Sequence, residues 1–234
     1  MAKSGARPNL VLGITGASGA VYAVRLLEVL TASGHDVHLS VSPSGQAVIQ
    51  QELGLSLDLE NFQPNKLLPD EGQIAADRKL QLTRALAGIS SESSNVLSVP
   101  GLSSGSVIYH HHQDMFAPIA SGSFLTRGMV VCPCSGSTLS GIAHGTSGNL
   151  IQRAADVHLK EGRKLILVPR ETPLSVIQLD NMKRCAEAGA VVLPAMPGFY
   201  HGATTIRDLV DFIVARICDQ LEIKHSLIER WGTK

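Results

Sequence analysis

Two consecutive strand–helix units open the chain and constrain its fold more than anything that follows. Asn9 to Thr15 is a short apolar run, Gly16-Ala17-Ser18-Gly19 breaks it, and an amphipathic helix is predicted from about Ala20 to Ser33. Val24, Leu27 and Leu30 recur in that helix at helical spacing. Gly34 supplies the stop, because glycine enters the left-handed conformation that ends helices at little cost. His35 to Val41 is a second strand, and a helix from about Ser44 to Leu53 follows Ser42-Pro43-Ser44. Parallel strands need a helical crossover, so this alternation predicts an α/β fold with a doubly wound parallel sheet.

The rest of the chain extends the pattern. Strands are predicted at Val107 to His110, Gly128 to Cys132, Lys164 to Val168 and Val191 to Pro194. Helices are predicted from Ser135-Gly136-Ser137-Thr138 to about Ala143, from Asn149 to Lys160, and from about Leu174 to Ala188. A last helix, Thr205 to Leu221, carries Ile206, Leu209, Val210, Ile213 and Ile217 as its apolar positions. Ala117 to Ser123 reads as a loop of small residues. About 54–113 is a variable excursion with one helix, about Ala75 to Leu86, and a serine- and glycine-rich loop, Ser90 to Ser106. No apolar set there could form its own core, so residues 1–234 read as one domain, which suits the length.

Twenty basic residues balance twenty acidic ones, so nothing in the charge suggests a general nucleic-acid or membrane surface. No apolar run approaches the ~18 residues that a membrane span needs. Met1 to Pro8 is polar and lacks the apolar core of a signal peptide, so a cytoplasmic protein is expected. Cys132-Pro133-Cys134 has neither redox nor zinc spacing, and the four cysteines are expected to be buried thiols. His110-His111-His112 falls at a strand end, where neighbours alternate faces and cannot all ligate one ion. No metal site is expected.

The chemistry gathers at strand ends. Lys164 to Val168 is the apolar run of a strand covered on both faces, and Pro169 ends its ladder. Arg170 and Glu171 then stand at its carboxyl end, where open α/β sheets bind ligands. A fixed cation and a carboxylate there can hold a phosphate and move a proton. Gly16 to Gly19 joins a strand to a helix, as either a phosphate cradle or a serine-capped turn. It is neither the dinucleotide fingerprint nor a P-loop. Ser42 and Ser44, and Ser135 to Thr138, repeat the arrangement. Three hydroxyl-rich strand ends in one sheet point to an anionic ligand with a polar ring system. Arg153, Asp156 and Lys160 share a helix at spacings that would also suit solvated ion pairs worth a few tenths of a kcal/mol. Phe199 and Tyr200 stand out in a chain with 4% aromatic residues, either as a wall for an apolar substrate group or as a plug against the last helix.

These residues carry a resemblance. Gly13-Ile14-Thr15-Gly16-Ala17-Ser18-Gly19-Ala20, Ala120-Ser121-Gly122-Ser123-Phe124 and Cys132-Pro133-Cys134-Ser135 through Ser140 occur in order. Arg153 to Val157 with Leu159-Lys160-Glu161, Val168 to Leu174, Pro197-Gly198-Phe199-Tyr200 and Asp208 to Phe212 follow. The chain resembles the UbiX-type flavin prenyltransferases over residues 9–53 and 114–232. The resemblance implies a Rossmann-like, flavodoxin-like three-layer subunit, assembled as a homododecamer. It implies that the dimethylallyl group of dimethylallyl phosphate is joined to reduced FMN at N5 and C6. The product, prenylated FMN, serves UbiD-type decarboxylases as cofactor. FMN contacts then fall on Gly16, Ala17, Ser18, Ser42, Ser135, Gly136, Ser137, Thr138 and Arg170, with Arg153 an active-site arginine. Lys160, Tyr200 and Arg216 match the phosphate substrate's contacts, partly from a neighbouring subunit. Ser18, Glu52 and Glu171 match positions of proton handling, and Lys160 joins them in the catalytic set.

The chain has no paired-aspartate motif for magnesium, so fixed cations such as Lys160, Arg170 and Arg216 must stabilise the leaving phosphate. Ring closure needs a base, and Glu171 suits that role directly or through the released phosphate. Holding the two substrates in contact supplies much of the remaining rate. Met115-Phe116 stands where the family has a tryptophan-containing step, which alters one wall of the prenyl pocket. Two rival readings are a flavin-dependent cysteine decarboxylase and a non-catalytic FMN-binding subunit. The first would carry Asn in a Pro-x-Met-Asn loop where this chain has Pro169-Arg170-Glu171-Thr172, and the second has no use for Lys160, Glu171, Tyr200 and Arg216 together.

Overall fold

A computed structural model describes residues 9–68, 104–230 and 232. In chain order the elements are β1 (Asn9–Ile14), α1 (Ala20–Ala32), β2 (Asp36–Val41), α2 (Pro43–Leu53) and the short α3 (Pro64–Leu67). β3 (Val107–Tyr109), a 3-10 turn (Pro118–Ala120), β4 (Gly128–Cys134), α4 (Gly136–Ala143) and α5 (Leu150–Lys160) follow. β5 (Leu165–Pro169), α6 (Val176–Glu187), β6 (Val191–Val192) and α7 (Ile206–Gln220) complete the series. The helix expected at Ala75 to Leu86 and most of the loop expected at Ser90 to Ser106 lie outside the described residues.

The sheet runs in the order β3-β2-β1-β4-β5-β6, and every pairing is parallel. This is the doubly wound Rossmann order, and without the short edge strand β3 it is the flavodoxin order. The winding reverses between β1 and β4, so the crevice outside their carboxyl ends is the place such folds bind ligands.

Alternation of side chains across each strand builds the two covering layers. Leu10, Leu12 and Ile14 of β1, with Val130 of β4 and Ile166 and Val168 of β5, pack against α1, α2 and α7. Val11, Met129, Val131, Leu165 and Leu167 point the other way, against α4, α5 and α6. Burial on both faces explains why these strands read as unbroken apolar runs. Val24, Leu27 and Leu30 are buried as their spacing predicted, whereas Ile206 is exposed at the start of α7.

The first part of the excursion belongs to the main core. Leu55, Leu57 and Leu59 are buried and alternate with Ser56, Asp58 and Glu60. Phe62 stacks on Tyr109 with ring centroids 4.2 Å apart, which ties this segment to the sheet edge. The period-two alternation was a readable signal, hidden because the segment is extended without forming a strand.

Two polar pairs lie inside the core. Arg25 of α1, 2% exposed, grips Asp211 of α7, with Nε 2.7 Å from Oδ1 and Nη2 3.3 Å from Oδ2. Burial works against the Arg25 charge, yet the bonded Asp211 carboxylate outweighs it and holds the guanidinium above its ordinary value. His38 of β2 meets His110, just past β3, with Nδ1 and Nε2 2.8 Å apart, so one ring donates to the other. Phe124 lies edge-on to His38, and Asn9 Oδ1 is 3.4 Å from its Nε2. β3 stops at Tyr109, one residue short of expectation, and His111 turns outward to Glu60 at 3.4 Å.

Burial pulls both His38 and His110 down, and the neighbouring His110 adds to the effect on His38, which falls from 6.5 to about 4. Between those values the unfolded chain takes up a proton that the folded chain refuses, so stability falls as pH drops through this window. At about 1.4 kcal/mol per unit the loss from His38 alone reaches about 3 kcal/mol. Replacing His38 by Gln should flatten the pH dependence of the urea midpoint between about pH 7 and about pH 4. An unchanged slope would contradict this account of the pair.

All four cysteines are free, buried thiols, and burial pushes each of them up. Among the described residues no helix is long and apolar enough to cross a membrane, and no group of three His, Cys, Asp or Glu side chains could hold a metal ion.

Candidate active site

Thr15 ties the crevice together from below. Its backbone N–H donates to the Pro133 carbonyl at 3.3 Å, and its hydroxyl donates to the same oxygen at 2.8 Å. The same hydroxyl accepts from the Ser135 N–H at 2.8 Å, so the ends of β1 and β4 cannot drift apart. Sequence reasoning took Thr15 only as the end of a strand.

Hydroxyl caps then line the crevice. Ser42 caps α2 by accepting from Gly45 N–H at 3.0 Å, and its Oγ lies 3.2 Å from that of Ser44. Ser135 caps α4, contacts the Ser137 hydroxyl at 3.2 Å and donates to the Thr138 hydroxyl at 3.1 Å. Both caps exploit the preference of serine for the position where a helix starts. A Cβ on Gly16 would fall 2.5 Å from both Cβ and Oγ of Ser44, and one on Gly45 would fall 2.7 Å from the Ile14 carbonyl. Glycine at these two sites lets the β1 turn close on the start of α2.

The start of α1 is different. Gly19, at φ 115° in the left-handed region, has no side-chain cap. The Glu52 carboxylate reaches from the end of α2 instead, accepting from Gly19 N–H at 2.9 Å and Ala20 N–H at 2.8 Å. A protein carboxylate therefore already occupies the anion-favouring end of α1. Tyr22 lies near Glu52, and burial above all, then Cys132 and Glu52, pushes its hydroxyl up. Sequence reasoning passed over Tyr22.

At the end of β5, Arg170 Nε donates to the Ser18 carbonyl at 3.2 Å and joins this strand end to the Gly16–Gly19 turn. Glu171 is exposed, yet its oxygens accept from Thr172 N–H and Gln178 Nε2, both at 3.3 Å. Arg170, Glu171 and Thr172 line a small cleft with Pro194 and Met196 at the ends of β5 and β6.

Thus Gly16, Ala17, Ser18, Ser42, Glu52, Ser135, Gly136, Ser137, Thr138, Arg170 and Glu171 all lie about one end of the sheet. Lys160 does not join them within one subunit. It ends α5, ahead of β5, whereas Glu171 stands past the far end of that strand. Five strand residues at ~3.3 Å each separate the two ends by about 16 Å. Lys160 Nζ donates to Glu161 at 2.6 Å, and the expected pair with Asp156 is replaced by that contact. Arg153 does hold Asp156, at 2.9 Å, while its Nε donates to the Ala120 carbonyl at 3.1 Å. Tyr200, in the loop before α7, packs against that helix, which also carries Arg216. The Tyr200 ring lies 5.7 Å from that of Phe212, one helical turn before Arg216. Arg216 Nη1 donates to Asp219 at 2.9 Å, and Phe199 and Tyr200 remain largely exposed.

This donor set fits a phosphate bound to a polar ring. Two hydroxyl-capped helix starts, a glycine turn without room for a side chain and an arginine converge at the switch point. Fold and site together define a mononucleotide-binding α/β protein.

Comparison with known proteins narrows the class. The family described as Flavoprotein matches residues 2–218. Flavin prenyltransferase UbiX of Halalkalibacterium halodurans is 43% identical over 221 residues, covering 94% of this chain and 92% of that protein. A crystal structure of AnUbiX (PadA1) with FMN and dimethylallyl pyrophosphate is 34% identical, with a TM-score of 0.74 over 98% of this chain and all of that one. A dodecameric FMN-dependent UbiX-like decarboxylase from Escherichia coli O157:H7 is 36% identical, with a TM-score of 0.73 over 96% of this chain and 99% of that one. The chain belongs to the flavoprotein family and, within it, to the UbiX-type flavin prenyltransferases.

Proposed function

We propose that this protein joins the dimethylallyl group of dimethylallyl phosphate to reduced FMN and releases phosphate, without a metal ion. Reduced FMN supplies the N5 and C6 positions that receive the prenyl group. The observation that carries this reading is Arg170-Glu171 at the end of β5, with Arg170 bonded to the Ser18 carbonyl in the same crevice as the serine caps. Gly16, Ala17, Ser18, Ser42 and Ser135 to Thr138, with Arg153 and Arg170, hold the flavin nucleotide. Lys160, Tyr200 and Arg216 bind the allylic phosphate, and fixed cations stabilise it as it leaves. Ser18 and Glu52 handle a proton at the β1 turn, and Glu171 accepts the one released at ring closure.

The site is shared between subunits. Lys160 and Glu171 lie at opposite ends of β5, so a second copy must bring its Lys160 to this crevice. The working form is therefore a homo-oligomer, and the dodecameric UbiX-like relative supports a dodecamer. Its product passes to a UbiD-type decarboxylase, and buried, unpaired thiols suit the reducing cytoplasm.

Released phosphate tests the reaction. It should appear only when reduced FMN and dimethylallyl phosphate are both present, and release with the phosphate ester alone would contradict a transfer to flavin. Complementation tests the sharing. Lys160→Gln and Glu171→Gln subunits, each inactive alone, should regain about a quarter of wild-type activity when co-assembled at random in equal amounts. No recovery in verified mixed oligomers would place both residues in one subunit's site.

A further inference from the structure

We propose that Gln178, three residues into α6, is a positioning residue that fixes the orientation of the Glu171 carboxylate. The inference rests on the proton-handling role proposed for Glu171. Two bonds define the Gln178 side chain. Its Oε1 accepts from Ser175 N–H at 2.8 Å, as the return half of the capping box that starts α6. That bond decides which amide atom is oxygen, so Nε2 is the atom turned toward Glu171, 3.3 Å from its Oε2. Thr172 N–H takes Oε1 of Glu171, and both carboxylate oxygens are thereby engaged although the residue is exposed.

Packing supports the same role. Val176 and Ile177 are 74% and 72% exposed, whereas Gln178 between them and Leu179 is half-buried. A Cβ on Gly136 would lie 3.4 Å from Gln178 Nε2, which places this amide against the first turn of α4. Gln178 therefore bridges two ligand-end loops, after β4 and after β5. The capping box alone would be served equally well by glutamate, which also accepts at this position. The amide nitrogen adds only one thing that glutamate cannot, a donor for Glu171.

Gln178→Glu separates the two functions. It keeps the cap, so the thermal midpoint should match wild type. It sets a second carboxylate against Glu171, and the acid limb of the kcat/KM profile should move up by about one pH unit, with kcat reduced near neutrality. Glu171→Gln should be equally slow with and without Gln178→Glu, because the substitutions then act on one unit. An acid limb left in place by Gln178→Glu, while Glu171→Gln alone stalls turnover, would overturn the inference and leave the role of Glu171 standing. Normal turnover by Glu171→Gln would overturn that role, and the inference with it.

Discussion

Glu171→Gln should bind FMN as wild type does and turn over about 10²- to 10⁴-fold more slowly, the usual share of a general base. The flavin contacts proposed at Gly16, Ser42, Ser135 and Arg170 do not involve the Glu171 carboxylate, so the loss should fall on kcat rather than on affinity. Glutamine preserves shape and can still accept from either Thr172 N–H or Gln178 Nε2, so proton acceptance and one of these two hydrogen bonds are removed. Fluorescence titration with FMN and single-turnover kinetics separate these effects. Turnover within a few-fold of wild type would take Glu171 out of the reaction.

Asp211→Ala should cost about 3–5 kcal/mol of stability, because it leaves a buried guanidinium without its main partner. Glu28, 3.4 Å from Arg25 Nη1, softens the loss without replacing the two-point grip. At about 2–4 °C per kcal/mol the thermal midpoint should fall by roughly 10 °C. Arg25→Met combined with Asp211→Leu should recover most of the deficit, since well-packed apolar residues often replace a buried ion pair at little cost. A loss below about 1 kcal/mol for Asp211→Ala would mean that the α1–α7 contact does not depend on this pair.

The strands that face helices on both sides were legible because burial on both faces leaves no polar alternation to confuse them. β1 and β5 begin and end within a residue of expectation, and so does β2, although its Asp36, His38 and Ser40 alternate with Val37, Leu39 and Val41. β4 runs two residues further, because Cys134 pairs with Pro169 beyond a register irregularity after Val131, and no local signal announces that step. Helix starts were legible through Ser42, Ser135, Asn149 and Thr205, each of which caps as its type predicts.

What stayed hidden depends on partners distant in sequence. Arg25 looks like a surface residue of an amphipathic helix, and Asp211, 186 residues away, is the main partner that makes its burial tolerable. Glu52 was singled out by the resemblance, but nothing local showed that it caps α1 from 33 residues away. Arg170 and Glu171 were legible as a strand end, while the placement of Lys160 follows from the direction in which α5 returns to the sheet. Sequence motifs gather the residues of a site without saying which subunit supplies each one.

The most direct test is the mass of the flavin after anaerobic incubation with reduced FMN and dimethylallyl phosphate. A prenyl transfer predicts FMN heavier by one five-carbon unit, formed as phosphate is released. Recovery of only unmodified FMN, with the monophosphate and diphosphate donors alike, would contradict the assignment.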